Sequence, residues 1–442
     1  MVKKKDTLTI GFMLFALFFG AGNLIYPPEL GIQSGVNYWL AIAGFIITGV
    51  GLPIIGVMAI SFGSSDARSL GNRVHPLFGL IFTSLIYLAI GPVFAIPRAS
   101  NVAFEMGVKP FTEGASTSVV LFIFSVIFFA VVYWISLNPS KIVDRIGQWL
   151  TPMLLIAIVA LALASFFNFD TAFQSANEKY AEGPFFEGFV NGYLTMDAIA
   201  GLAFGIIVVN ALKDRGVPAG NKMIKETIKA GSVTAIGLIF VYTSIGWMGA
   251  KMASLGNYDN GGDILASGAE MLFGSGGALV LGLIVLLACF TTCVGLTVAC
   301  SQFFSNTFPA LKYNNLVLII TLISFGVANL GLNQIIAYSV PVLYFIYPLA
   351  IVLIGLTFLH PLFGGSSYVY RGALLFTLIF SIHDGLEAFG ADVTGLQSII
   401  SFFPLFEENL GWLIPAIIGG IIGYVVDLMF NGHPVESPKK VS

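Results

Sequence analysis

The chain is short of charge. Only 10% of its 442 residues are Asp, Glu, Lys or Arg, where a soluble domain carries about a quarter. That is too few to cover a chain of this length with a water-facing surface. Cysteine is scarce as well. Cys289, Cys293 and Cys300 lie in one apolar segment, which excludes a disulfide framework; their spacing puts them near one helical face, as small packing residues. The four histidines, His75, His360, His383 and His433, are scattered. With no metal-ligand constellation and no nucleophile–base pairing, a membrane-embedded enzyme is disfavoured and no cofactor is implied. There is no P-loop and no low-complexity tract, and a net charge of −3 gives no sign of a nucleic-acid partner. The longest polar connection, about 170–185, is too short to fold alone. A chain without a motor or an evident ATPase subunit would transport along an ion gradient or downhill.

What is present is hydrophobicity, 57% of the residues. It is spread along the whole length in runs of about 20 residues, enough for a helix to cross roughly 30 Å of hydrocarbon. The 50 glycines and 40 phenylalanines fit membrane helices, where Gly permits close approach. Lys3, Lys4 and Lys5 precede an apolar stretch from Leu8 to Ile25. Tyr26, Pro27, Pro28 and Glu29 follow it in place of a small-residue cleavage site, so it reads as a first span rather than a signal peptide.

Hydropathy predicts an all-α integral membrane protein with twelve spans, near 8–34, 38–61, 77–106, 117–137, 147–168, 186–212, 227–252, 276–305, 315–332, 334–358, 372–390 and 409–430. Spans three and eight are expected to have irregular ends. With both termini cytoplasmic, only Arg98, Lys109, Lys179 and Lys251 fall on the outer half; the other sixteen of twenty basic residues fall inside, as the positive-inside rule requires.

Two spans look broken. The first carries Phe18-Phe19-Gly20-Ala21-Gly22-Asn23-Leu24-Ile25-Tyr26-Pro27-Pro28, and the sixth Asn191-Gly192-Tyr193-Leu194-Thr195-Met196-Asp197-Ala198. Glycines, prolines and polar residues at mid-membrane are poor for a continuous helix. One such segment would read as a site of tight packing. Two at matching places, an odd five spans apart, point to an inverted repeat with a substrate site between its halves. The repeats would be 8–168 and 186–358, with 372–430 appended, all in one transmembrane domain. Half-helix N-termini suit a substrate carboxylate and exposed carbonyls suit a cation. Thr291 and Thr292 in span eight add two hydroxyls, which in a helix can also bond back to the preceding turn.

The first motif, with Gly91-Pro92 and Ala95-Ile96-Pro97-Arg98, resembles the bacterial branched-chain amino acid:cation symporters, the system II carriers, over essentially the full length. The resemblance implies import of Leu, Ile and Val with Na⁺ or H⁺ across the bacterial cell membrane, and a leucine-transporter-like fold of five-plus-five inverted helices. It implies that Gly20, Ala21 and Gly22 offer backbone groups to the substrate carboxylate, with Thr195, Met196 and Asp197 at the second break. It implies a sodium site from the carbonyls of Ala16, Phe19 and Ala288 and the side chains of Thr291 and Thr292. Asn23 matches an Asn that ligates a second sodium in some members of that fold. A symporter of the same fold for another amino acid or a nucleobase is the alternative, and a channel a third.

Asp197 departs from the leucine-transporter pattern. An ionisable residue at mid-membrane is functional by default: it could bind the substrate ammonium, ligate a cation or accept a proton, or it could cap the second half-helix. Arg98 is expected either to act as an outer gate, pairing with Glu29, Asp384 or Glu387, or to snorkel to the interface. His383 and Asp384 are expected at the interface, and Glu178, Glu182 and Glu187 on a solvated surface.

Overall fold

The computed structural model describes residues 4–62, 66–112, 114, 116–138 and 141–431. Lys3, Lys439, Lys440 and His433 lie outside them. All regular structure among the described residues is helical: α1 Lys4–Phe18, α2 Ala21–Ser34, α3 Tyr38–Ile46, α4 Leu52–Ser61, α5 Ala67–Asn72, α6 Pro76–Leu88, α7 Ala95–Gly107, α8 Thr117–Leu137, α9 Lys141–Asn168 and α10 Glu178–Glu182. There follow α11 Pro184–Asn191, α12 Asp197–Lys213, α13 Asn221–Met252, α14 Gly261–Thr307, α15 Tyr313–Ala328, α16 Leu332–Leu359, α17 Ser367–Ala388, α18 Thr394–Ile400 and α19 Leu413–Asn431. Among the described residues, seven helical segments are long and apolar enough to cross a membrane, or eight with the α11–α12 pair, which bends by 47°. Large apolar side chains point outward along them: Trp134, Ile236 and Met429 are each more than 65% exposed. A water-soluble surface rarely shows apolar patches of that extent; hydrocarbon accepts them.

Spans two and three are each interrupted where the sequence suggested nothing or only an irregular end. A π-helical turn, Ile47–Gly51, joins α3 to α4. Another, Ala89–Val93, joins α6 to α7 and contains Gly91 with non-helical backbone (φ −102°, ψ −122°). The irregularity of span three is thus at its middle, and the Gly91-Pro92 pair is its cause: Pro92 cannot donate the helical hydrogen bond. In span eight the helix begins at Gly261, well before the expected 276, and kinks at Gly274, whose φ of +67° suits glycine. Asp263 and Glu270 keep that first stretch out of the hydropathy signal.

Helices approach closely where glycines face backbone. α2 lies along α13, and Cβ atoms are excluded at the crossing. One built on Gly31 would lie 2.7 Å from the Ala250 nitrogen, and one on Gly249 would lie 2.7 Å from the Pro28 Cα. α17 and α19 meet the same way through Gly372, Gly419 and Gly423. In lipid such contacts replace the hydrophobic drive that holds soluble helices together. The three cysteines also behave as packing residues. All are buried and unpaired, with Cys293 Sγ toward the Ile96 carbonyl (3.5 Å) and Cys300 Sγ toward that of Tyr87 (3.3 Å).

Gly31→Ala should destabilise the purified protein by about 1–3 kcal/mol, the usual range for overpacking, seen as a lower thermal midpoint in detergent. Gly355→Ala, whose added Cβ meets nothing within 4 Å, should leave the midpoint unchanged or slightly raised.

Candidate functional site

The first break lies at Phe19-Gly20, ahead of the two prolines, which α2 carries within its length. Gly20 is extended (φ −122°, ψ −169°). Its N–H, which would bond the Ala16 carbonyl in a continuous helix, is accepted instead by Asn23 Oδ1 at 3.0 Å. The Asn23 N–H in turn bonds the Gly20 carbonyl at 3.2 Å. Asn23 thus caps α2 from its third position. The Ala16 carbonyl is released from its helical role, as an oxygen ligand at that position requires.

The second break is sharper. After α11 the chain tightens into a 3₁₀ turn, Gly192–Thr195, and Met196 adopts the left-handed conformation (φ 66°, ψ 6°) before α12 starts at Asp197. That conformation costs a residue with a Cβ roughly 1–2 kcal/mol. It is held by Thr195 Oγ1, which donates to the Gly192 carbonyl (2.9 Å) and accepts from the Asp197 N–H (3.3 Å). The turn leaves the carbonyls of Leu194 and Thr195 outside any helical ladder.

Arg98 supplies their partner. It is 3% exposed and reaches from α7 to the Leu194 carbonyl (2.6 Å), the Thr195 carbonyl (3.1 Å) and Tyr26 Oη (3.1 Å). Neither expected arrangement is found. No carboxylate lies within salt-bridge distance of Arg98 among the described residues, and it does not snorkel. Glu29 instead accepts from Gln33 Nε2 (3.2 Å). The reason is electrostatic: a 3₁₀ turn ending in mid-bundle presents the negative end of its dipole, which neutralises a cation without a carboxylate. Gly22 makes the crossing possible, since a Cβ there would sit 2.6 Å from Arg98 Nη2 and 3.1 Å from the Thr195 oxygen.

Asp197 does not cap α12 with its side chain. Its Oδ2 accepts from Asn23 Nδ2 (2.5 Å) and from Tyr242 Oη (3.1 Å), and the Asn23 amide also contacts Tyr242 Oη. Spans one, six and seven are thereby tied by three buried polar side chains. The oxygen of Asn23, which a second sodium would need, already accepts the Gly20 N–H. Tyr242 carried no motif; it is one of three consecutive hydroxyl residues with Thr243 and Ser244.

Gly20, Ala21, Gly22, Thr195, Met196 and Asp197 all line one cavity of about 40 Å³, together with Asn23, Arg98 and Thr292. Leu17, Phe18, Ile90 and Leu296 give it an apolar side. Thr291 and Thr292 both donate to the Ala288 carbonyl, at 2.8 and 3.0 Å. This is the back-bonded arrangement, and it leaves hydroxyl lone pairs free. The Thr292 methyl lies 3.8 Å from a Cβ built on Gly20, so span eight meets span one at the break. A second cavity, about 410 Å³, opens between Arg68, Tyr87, Ile207, Gln302 and Asn306. Phe204 lines both.

His383 and Asp384 are buried, not interfacial, and bonded to each other at 3.0 Å. The segment after α17 folds over that helix end and sets the Phe406 ring 5.0 Å from the His383 ring. Glu187 is half-buried and accepts from Asn191 Nδ2 (3.1 Å), whereas Glu178 and Glu182 are exposed as expected.

Two unrelated-looking sequences share this architecture. The inward-facing conformation of Mhp1 superposes with a TM-score of 0.61 over 98% of this chain and 92% of that one, at 14% identity. MhsT in complex with L-phenylalanine gives 0.56 over 94% and 98%, at 16%. The fold is therefore that of these transporters. Sequence relatives are far more similar. The branched-chain amino acid permeases BraB and BrnQ of Bacillus subtilis (strain 168) are each 47% identical, over 97% and 95% of this chain and 96% of their own length. The family model described as branched-chain amino acid transport protein matches residues 3–430. With residues 3–430 of its 442 matched, the chain belongs to the branched-chain amino acid transport protein family.

Proposed function

We propose that the chain imports leucine, isoleucine and valine by symport with Na⁺ or H⁺, alternating access to the cavity between the two breaks. The observation that carries this is the meeting of both breaks at one small cavity with a polar and an apolar side. An amino acid zwitterion matches the polar side and a branched aliphatic chain the apolar one. Because one methylene is worth only about 1–3 kcal/mol, such a site would discriminate little among the three. The names of the two Bacillus permeases support the same substrate class.

In this reading there are twelve spans: α1–α2, α3–α4, α6–α7, α8, α9, α11–α12, α13, α14, α15, α16, α17 and α19. The first five and second five form inverted repeats, with the last two appended. Both termini are cytoplasmic. The larger cavity, bordered by Arg68, is then a cytoplasmic vestibule, and Phe204 separates it from the substrate. The backbone of Gly20, Ala21 and Gly22 with Thr195 and Met196 holds substrate. The carbonyls of Ala16, Phe19 and Ala288 with Thr291 and Thr292 hold Na⁺; five oxygens suit a small hard cation. The gradient then supplies about 2.3 kcal/mol per charge per 100 mV plus its concentration term. With H⁺ as the coupling ion, Asp197 is the acceptor.

Labelled leucine uptake into proteoliposomes, with Na⁺ and H⁺ gradients imposed separately, tests the whole reading. Accumulation blocked by isoleucine and valine but not lysine supports it; its absence in folded protein overturns it. Replacing both Thr291 and Thr292 by Ala should raise the Na⁺ concentration for half-maximal uptake by roughly tenfold or more, about 1.4 kcal/mol of lost coordination. Unchanged Na⁺ dependence removes that site. Asp197→Asn weakens the bonds from Asn23 and Tyr242, which go to a carboxylate and are worth about 1.5–3 kcal/mol. Uptake should fall roughly 10- to 100-fold with normal membrane insertion, and normal uptake at every pH would make Asp197 structural.

A further inference from the structure

The donors of Arg98 are only partly used. A guanidinium has five N–H groups. Nη1 gives two, to Tyr26 Oη and the Leu194 carbonyl, and Nη2 gives one, to the Thr195 carbonyl. Nε is buried without a hydrogen-bond partner, and one Nη2 donor is unassigned. Nε and Nη2 form the lateral edge of the guanidinium, the edge that takes a carboxylate through two parallel hydrogen bonds. A buried, unpaired charged donor costs free energy unless a ligand completes it. Arg98 lines the 40 Å³ cavity beside Ala21 and Gly22, the first turn of α2. The N–H groups there are free of helical acceptors and favour negative charge.

We propose that Arg98 binds the substrate α-carboxylate through Nε and Nη2, jointly with the first turn of α2, while its other donors hold the second break in place. The inference rests on the amino acid transport reading above and adds a specificity-determining residue to it. It also gives the cavity a charge balance. Arg98 lines it together with Asp197, so a cationic and an acidic group face the substrate. A zwitterion brings one charge of each sign to them and no net charge into the membrane interior, where an unpaired one is costly. An analogue without the carboxylate would leave Nε unpaired, the circumstance in which binding sites discriminate most strongly.

The test is displacement of labelled leucine from the full chain in lipid nanodiscs. Leucinol should displace it from the unaltered protein at least roughly 100-fold more weakly than leucine does. Arg98→Lys keeps the charge but loses the planar fork. Leucine affinity should then fall roughly 30-fold or more, with leucinol affinity changed less than about threefold. Equal losses for both ligands, or no loss for leucine, would show that Arg98 only supports the break and would overturn the proposal. If the variant does not fold, the unaltered protein decides by solid-state NMR. Dephasing between [1-¹³C]leucine and ¹⁵N-guanidinium arginine at roughly 4.5 Å or less is expected for a hydrogen-bonded pair, and its absence with leucine bound overturns the proposal. Folded protein that binds no leucine at all would remove the transport reading itself, and this inference with it.

Discussion

A backbone that leaves the helix inside a membrane must find partners for every N–H and C=O it releases, because hydrocarbon offers none. This chain leaves the helix twice at its centre, and the surrounding structure is organised around those two needs. At Gly20 the released N–H is taken by Asn23 within the same span. At Leu194 and Thr195 the released carbonyls are taken by Arg98, delivered from span three. Gly22 is the opening through which that side chain passes. A polar network follows from the two solutions, since the Asn23 amide, turned inward, finds Asp197 and Tyr242. The breaks are therefore coupled side chain to side chain and do not merely face one another.

Such a network resists isolated change. Asn23 serves Gly20 through its oxygen and Asp197 through its nitrogen, so it reports the state of each break to the other. Arg98 joins Tyr26 of span one to the carbonyls of span six. A movement of α11 against α2 breaks bonds to a buried cation, and such bonds cost more than neutral ones to leave unmade. Small rearrangements are thereby penalised in favour of concerted ones.

The sequence made much of this legible. Each break lies inside the segment the sequence marked, Phe18 to Pro28 in the first and Asn191 to Ala198 in the second, because glycine and polar residues at mid-span weaken a helix that hydrocarbon otherwise enforces. Hydropathy marked the apolar helices, since a lipid-facing surface must be apolar. Contacts between distant spans were not legible. Nothing local to Arg98 distinguishes a gate from a backbone clamp; that depends on the turn ninety-odd residues later that offers it two carbonyls. Tyr242 looks like any interfacial tyrosine until Asp197 is seen beside it. The burial of His383 and Asp384 depends on the segment from 394 onward folding back, a tertiary event with no periodic signature. The helix start at Gly261 was hidden from a hydropathy reading by its own acidic residues, although most of that stretch is buried.

The two cavities bear on how substrate would move. The central one, at about 40 Å³, has room for a few waters at most and cannot hold leucine without expansion. The larger one, at about 410 Å³, could. Phe204 borders both, and its ring lies 6.1 Å from that of Phe18, the last residue of α1 before the first break. On the proposed reading, leucine would need the lining around Phe204 to give way, and two of the elements that could do so, the end of α1 and the body of α12, flank the released backbone groups. In the proposed cycle, filling the cation and carboxylate positions replaces lost helical bonds at those same ends. Binding would thus be felt first where the aromatic pair sits, and the barrier between substrate and vestibule would depend on the state of the breaks. In that cycle the unwound segments would serve twice: as ligands when filled, and as hinges when not.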